Sequence, residues 1–175
     1  MTDPQYPIGK FVEDPNVTPE KRQGWIEEIA GTAELFRKAV ARLTPGQLDT
    51  AYRSGGWTLR QVVHHMADSH ANLYIRFRLA LTESDPTVKG YDTALWGELA
   101  DAKTAPVEIS IALLDALHQR CVLLLKSMAP ADFVKTFRRP DGAAVPLDRA
   151  LQMYAWHGRH HAVQITTLRE RMGWK

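Results

Sequence analysis

Three histidines lie close together near the C-terminal end of the chain, at positions 157, 160 and 161. The surrounding residues have helical periodicity, and on a helix His157 and His161 project from the same side, one turn apart. Two imidazoles so placed can bind one metal ion, and a third ligand from elsewhere would leave one coordination position open. The alternative is a pair of core histidines with other hydrogen-bond partners. The spacing favours a metal site, although His-x-x-x-His alone is a moderate signal.

Helical geometry separates these three histidines. At about 100° per residue, the apolar residues of the last predicted helix cover an arc from about 20° to 120° relative to His157. They are Leu147, Ala150, Leu151, Tyr154, Ile165, Leu168 and Met172. His161 falls inside this arc and His157 lies at its edge, whereas His160 falls outside it. We therefore predict His157 and His161 as ligands. His160 is predicted either to contact a ligand on the side away from the metal or to lie at the surface.

An earlier helix offers His64, His65 and His70 as sources of the third ligand. His65 borders the apolar face and shares a polar stripe with Ser69, Asn72 and Arg76, a pattern typical of a helix that lines a cavity. His64 is predicted to point away from the buried arc. His70 lies on the far side of that arc and stays open as a candidate. For His70 and His118, the simpler interpretation is a core histidine bonded to a backbone group or a carboxylate.

Four long segments with helical periodicity predict an all-α fold, a four-helix bundle. Thr18-Pro19 begins the first helix, and a capping box from Thr58 to Gln61 begins the second, which should run from about Leu59 to near Thr82. The third should run from near Pro106 to before Ala129, and the fourth from about 147 to 172. A turn signal at 140–142 predicts a short β-hairpin before the last helix. We expect one domain over 1–175, with an N-terminal arm at 1–17.

Composition narrows the classes of function. Lys plus Arg number 22 and Asp plus Glu number 20, so the chain lacks the excess of basic residues expected of a protein that binds nucleic acid. Cys121 is the only cysteine, which excludes a disulfide framework. The sequence shows neither a signal peptide nor an apolar stretch of membrane-spanning length. We therefore expect a cytoplasmic protein without a membrane or nucleic-acid partner.

Several motifs resemble one known family. They are Gly56-Trp57-Thr58, Val62-Val63-His64-His65, and Trp156-His157-Gly158-Arg159-His160-His161 followed by Gln164. Over nearly the whole chain the sequence resembles the DinB-like superfamily, in particular its YfiT type of metal-dependent hydrolases, whose relatives include bacillithiol S-transferases. The resemblance implies a four-helix bundle, commonly a homodimer. It also implies one divalent metal ion per subunit, bound by His65, His157 and His161. Zinc is the favoured metal and nickel the second.

Three neutral imidazoles and an open position allow two reactions. Bound zinc can lower the pKa of water from about 15.7 towards about 7, which makes hydrolysis of a small molecule possible. The same position can take a thiolate, which predicts a thiol S-transferase as the alternative. A non-catalytic metal-binding module is the third hypothesis. The catalytic residues are not predicted. Asp68 and Asp92 are weak candidates for a base, and a cap or surface role is the favoured interpretation for both. Arg76 could receive an anionic group of a substrate or simply pair with a carboxylate of the protein.

Overall fold

The computed structural model describes residues 3–175, so Met1 and Thr2 of the predicted arm lie outside the described residues. Four long helices carry the fold: α1 (Pro19–Val40), α3 (Leu59–Thr82), α6 (Val107–Ser127) and α7 (Leu147–Met172). Between them lie three short helices, α2 (Pro45–Leu48), α4 (Thr93–Gly97) and α5 (Ala100–Thr104), and the strands β1 (Thr136–Arg138) and β2 (Ala144–Pro146). The predicted bundle and the hairpin before the last helix are confirmed.

The long helices begin where their capping residues predict. The Thr18 side chain accepts a hydrogen bond from the Lys21 backbone N–H at 3.3 Å, which satisfies one of the free donors at the start of α1. At the start of α3, Thr58 accepts from the Gln61 backbone N–H, and the Gln61 side chain accepts from the Thr58 N–H. Local hydrogen bonding thus sets the first turn of α3, and with it the height of His65 in the bundle.

The order of the helices in the bundle differs from their order in the chain. Helix α1 packs chiefly against α6 and α7, and α3 packs against the same two helices. Helices α1 and α3 therefore lie diagonally opposite each other. Helices α3 and α7 are antiparallel neighbours, since His65 lies beside His157 whereas Arg76, further along α3, reaches back to Tyr154. The predicted ligands thus face one another across a single helix–helix interface.

The core consists of two apolar clusters with a polar layer between them. Phe77, Leu125 and Leu151 belong to one cluster, and Phe36 and Ile165 to the other. In each long helix, one or more polar residues stand between the parts that belong to the two clusters: Thr32, His70, His118 and His157. A polar layer at mid-height is where bundles commonly build metal sites, because side chains from facing helices converge there.

The hairpin and the connection between α3 and α6 cover one side of the bundle. Strands β1 and β2 are antiparallel, with Phe137 opposite Val145, and both of these residues join an apolar cluster. The connection contains α4 and α5 and passes close to the hairpin, where the position of a Cβ on Gly90 would lie 3.3 Å from Pro140. Among residues 3–175, no helix is long and apolar enough to cross a membrane.

The close approach of α1 and α7 gives a test of the fold. A Cβ on Gly158 would lie 2.9 Å from Thr32 Oγ1 and 3.0 Å from Thr32 Cγ2. Gly158→Ala should therefore lower the free energy of unfolding by about 1–3 kcal/mol, measured by chemical denaturation. This loss opposes the gain of about 1 kcal/mol that alanine brings to a helix interior.

Two further variants make the test specific. Gly31 lies in α1 with open space around it, so Gly31→Ala should stabilise the protein. Adding Thr32→Ala to Gly158→Ala removes both contacting atoms and should recover most of the lost stability. If Gly158→Ala were as stabilising as Gly31→Ala, the two helices would not approach each other this closely.

Candidate metal centre

The structure brings the three predicted ligands together. His157 Nε2 lies 3.2 Å from His65 Nε2 and 3.1 Å from His161 Nε2, and one ligand atom from each residue lies within 4.8 Å of the others. In a tetrahedral zinc site with Zn–N bonds of about 2.0–2.1 Å, two ligand nitrogens are about 3.3 Å apart. The nitrogen separations therefore fit a single metal ion of this size.

Gln164 determines which nitrogen of His161 carries the proton. Its amide nitrogen donates to the backbone carbonyl of Gln5 at 2.9 Å, so its amide oxygen faces His161 Nδ1 at 2.8 Å. That oxygen can only accept, and His161 must therefore be protonated at Nδ1. In the neutral imidazole, Nε2 then presents a lone pair towards His157. Through Gln5, the N-terminal arm helps to hold a predicted ligand in the tautomer that a metal requires.

Two more histidines, His70 and His118, continue the contacts of His157 on the side away from the predicted metal position. Its Nδ1 lies 3.3 Å from His70 Nε2, and His70 Nδ1 lies 2.8 Å from His118 Nε2. If His157 turns Nε2 towards the metal position, its Nδ1–H donates to His70, which must then donate to His118. Both are buried core histidines, as we expected, but His70 bonds to two imidazoles and not to a backbone or carboxylate group, so that part of the expectation was wrong for His70. Because α6 lies beside α3, the two histidines meet each other inside the polar layer.

Burial keeps the predicted ligands neutral. Loss of solvent lowers the pKa of His157 and of His161 well below the usual histidine value, and neighbouring imidazoles lower it further. Burial, followed by the effect of His160, lowers the pKa of His65 to about 4. A neutral imidazole is the form that binds a metal, so all three are ready to bind one at neutral pH. Without a cation, nitrogen lone pairs that face one another at these separations are unfavourable, unless a ring proton of His157 lies between them.

Two histidines are more buried than the periodicity predicted. His64 is not solvent-exposed: its ring nitrogens contact Ser110 Oγ at 2.7 Å and the Ala105 carbonyl at 3.1 Å, where α5 meets α6. His160 is also buried, because Trp156 stacks on it with ring centroids 4.5 Å apart and Tyr6 of the arm covers it. The surface alternative for His160 was wrong. The other alternative, a position behind a ligand, matches its contact with Gln164 at 3.1 Å.

Two of the three histidines, His65 and His157, border a cavity of about 370 Å³ that lies between α3, α7, the hairpin and the long connection. His161 borders a second cavity of about 300 Å³, beside Trp57 and Tyr6. His65, Ser69, Tyr91, Tyr154 and His157 form part of the wall of the first cavity. Neither of the weak candidates for a base lines this cavity. The Asp92 side chain caps α4 by accepting from the Leu95 N–H at 3.0 Å. Asp68 borders a different pocket beside His64, and burial there raises its pKa.

The sequence matches the family model of the DinB superfamily over residues 28–165. The chain belongs to the DinB superfamily. It is 51% identical, over 99% of its length and the whole of the relative, to a Bacillus mycoides (strain KBAB4) protein named "Putative metal-dependent hydrolase". A Bacillus cereus (strain AH820) protein with the same descriptive name is 50% identical, with the same coverage of both chains.

Two solved structures have a similar fold. YfiT from Bacillus subtilis, described as a probable metal-dependent hydrolase with an unusual four-helix bundle topology, superposes with a TM-score of 0.96 at 44% identity. The match covers 98% of this chain and 99% of YfiT, so the resemblance to the YfiT type is confirmed. A mycothiol-dependent maleylpyruvate isomerase matches at 16% identity with a TM-score of 0.65, over 82% of this chain and 60% of that one, which is a likeness of fold alone.

Neighbouring histidines provide matched controls for the ligand set. We expect His65→Ala, His157→Ala and His161→Ala each to abolish stoichiometric metal binding, measured by elemental analysis after dialysis. His64→Gln and His160→Gln alter the adjacent residues on the same helices and should retain about one metal ion per chain. Loss of metal in the His160 variant but not in the His161 variant would contradict the assignment.

The orientation of His161 can be tested through Gln164. Gln164→Leu removes the acceptor for His161 Nδ1–H, so the metal dissociation constant should rise about 10–100-fold while the stoichiometry stays at one. Gln152→Leu is the control. Gln152 is also buried in α7 and accepts from the Asp14 backbone N–H of the arm at 2.8 Å, but it contacts none of the predicted ligands. Equal weakening in both variants would mean that the arm, and not the tautomer, matters.

Proposed function

We propose that this protein is a metal-dependent hydrolase that acts on a small molecule, with the metal ion bound by His65, His157 and His161. The convergence of three neutral imidazole nitrogens, two of them on residues that line a large cavity, carries this proposal. A divalent ion held there would supply Lewis-acid activation of water or of a substrate carbonyl. Zinc is the favoured ion and nickel the second. The names of the relatives support the same class of reaction. The homodimer that the family implies stays a prediction.

The protein's own residues hold the metal ligands and shape the space beside them. Trp57 packs on His65 with ring centroids 4.8 Å apart and shields it on one side. Burial raises the pKa of Tyr154 and of Tyr91, so both phenols stay protonated at neutral pH and can donate hydrogen bonds into the cavity. Three protein ligands leave a coordination position for substrate, which distinguishes this site from closed structural zinc sites. That geometry disfavours the non-catalytic module.

One observation favours thiol transfer as the second candidate. Within residues 3–175, no Asp or Glu lines the cavity, so a carboxylate that accepts a proton from water is missing from its wall. A thiol has a pKa near 8.5, far below that of water, and needs less help to lose its proton. A low-molecular-weight thiol could therefore serve as the nucleophile and attack an electrophile in the same cavity.

One experiment separates the three hypotheses. The zinc-loaded and nickel-loaded proteins are assayed on a panel of esters and amides, and separately with cellular thiols plus the electrophile monochlorobimane. A hydrolase turns over some ester or amide, and this activity disappears on chelation and in His157→Ala. Acceleration of thiol conjugation alone would replace hydrolysis by S-transfer. If metal removal lowered only the melting temperature, and neither panel responded, the non-catalytic hypothesis would stand.

A further inference from the structure

The wall of the cavity is basic, and one of its basic residues has no acidic partner among residues 3–175. Arg76, Arg139 and Arg149 line the cavity, whereas no described Asp or Glu does. Arg139 forms an ion pair with Asp141 at 2.8 Å, and Arg149 pairs with Glu13 at 2.9 Å. Arg76 makes no ion pair within the described part of the chain.

The donors of Arg76 are only partly used. Its Nη1 donates to the Tyr154 phenol oxygen at 2.8 Å, and its guanidinium lies 5.8 Å from the centre of the Phe137 ring. Its Nε is buried and has no hydrogen-bond partner among residues 3–175. A guanidinium is always charged and can only donate. A buried donor without a partner costs free energy, so the folded protein keeps an unfavourable group that a ligand could satisfy.

Tyr154 adds a second donor at the same place. Because Arg76 can only donate, the phenol oxygen accepts that hydrogen bond, and its own O–H is left to donate to the neighbouring Ser69 hydroxyl or to a ligand. Tyr154 is 3% exposed and lies one turn before His157 on α7, with the two ring centroids 6.0 Å apart. The phenol therefore belongs to the same cavity as the predicted metal ligands His65 and His157.

We propose that Arg76 and Tyr154 form a receptor for a carboxylate on the molecule that occupies this cavity. A guanidinium matches the planar carboxylate in shape as well as in charge, and the phenol O–H adds a further donor. The single free positive charge suits a monoanionic carboxylate better than a dianionic phosphate. This inference rests on the proposed function only in taking the cavity as the substrate site.

The position of the receptor also indicates the class of the ligand. Arg76 reaches Tyr154 at 2.8 Å, and the Tyr154 ring lies 6.0 Å from the His157 ring, so the receptor and the predicted metal ligands share one cavity. The substrate class is an organic acid, or a thiol conjugate, that carries a carboxylate near the group that reacts at the metal.

A binding experiment tests the receptor without any assay of turnover. The probes are 4-phenylbutyrate and its neutral amide, which differ in charge and hardly in shape. Titration calorimetry is done on the zinc-loaded and the metal-free protein, because a carboxylate could also bind the metal itself. In the metal-free protein we expect the acid to bind at least about tenfold more tightly than the amide, with a preference that weakens as salt is added. Equal affinities would overturn the proposal.

The chain supplies a close control for the variants. Arg78 lies on the same helix and donates to the Tyr74 hydroxyl at 2.8 Å, but it is exposed and lies outside the cavity. Arg76→Gln should remove the preference for the acid, and Tyr154→Phe should reduce it while keeping the ring. Arg78→Gln and Tyr74→Phe should leave it unchanged. Circular dichroism and the melting temperature show whether each variant is folded.

Failure of the receptor can be distinguished from failure of the hydrolase. If the acid preference depends on Arg76 but no ester or amide is turned over, the receptor stands and the hydrolase proposal fails. If esters are hydrolysed at equal rates with and without a carboxylate, and Arg76→Gln changes neither rate, the hydrolase stands and the receptor fails. Binding that requires zinc and survives Arg76→Gln would place the carboxylate on the metal and would also overturn the receptor.

Discussion

The convergence of three imidazole lone pairs inside an otherwise apolar bundle is the constraint on which this structure depends. Two nitrogen–nitrogen separations of 3.1 and 3.2 Å are too short to be favourable between neutral acceptors unless a cation or a proton lies between them. Burial lowers the pKa of all three histidines and so opposes the addition of a second ring proton to any of them. The proposed metal ion would satisfy the three nitrogens with one charge.

Much of the surrounding structure serves to hold that arrangement. Gly158 lies between the predicted ligands His157 and His161 and allows α7 to approach Thr32 of α1. Gln164 connects His161 to the N-terminal arm. His70 and His118 extend the polar contacts of His157 across α3 and α6. The polar layer thus draws on all four long helices, while the two apolar clusters on either side supply most of the burial that stabilises the bundle.

The cavity combines two kinds of chemistry. Two of the predicted metal ligands line it, and so does a guanidinium with a free donor. The hairpin and the connection between α3 and α6 form the remaining wall, so segments outside the bundle decide what the cavity admits. This division is common in enzymes: rigid helices carry the reactive groups, and loops and short elements determine the substrate.

Features that depend on one helical turn could be determined from the sequence alone. The capping residues Thr18 and Thr58 marked the starts of α1 and α3, because capping is a hydrogen bond over three residues. The spacing of His157 and His161 placed them on one face for the same local reason. These patterns, together with the polar stripe that contains His65, led to the three histidines that the structure brings together.

Contacts between elements that are distant in the chain were decided only by the tertiary structure. Periodicity describes one helix, and it contains no information on which neighbour covers each face. The burial of His64 depends on α5 and α6, and that of His160 depends on the N-terminal arm. Likewise, the tertiary arrangement of the helices and the hairpin pairs His70 with His118. It also leaves Arg76 without an acidic partner in the described part of the chain.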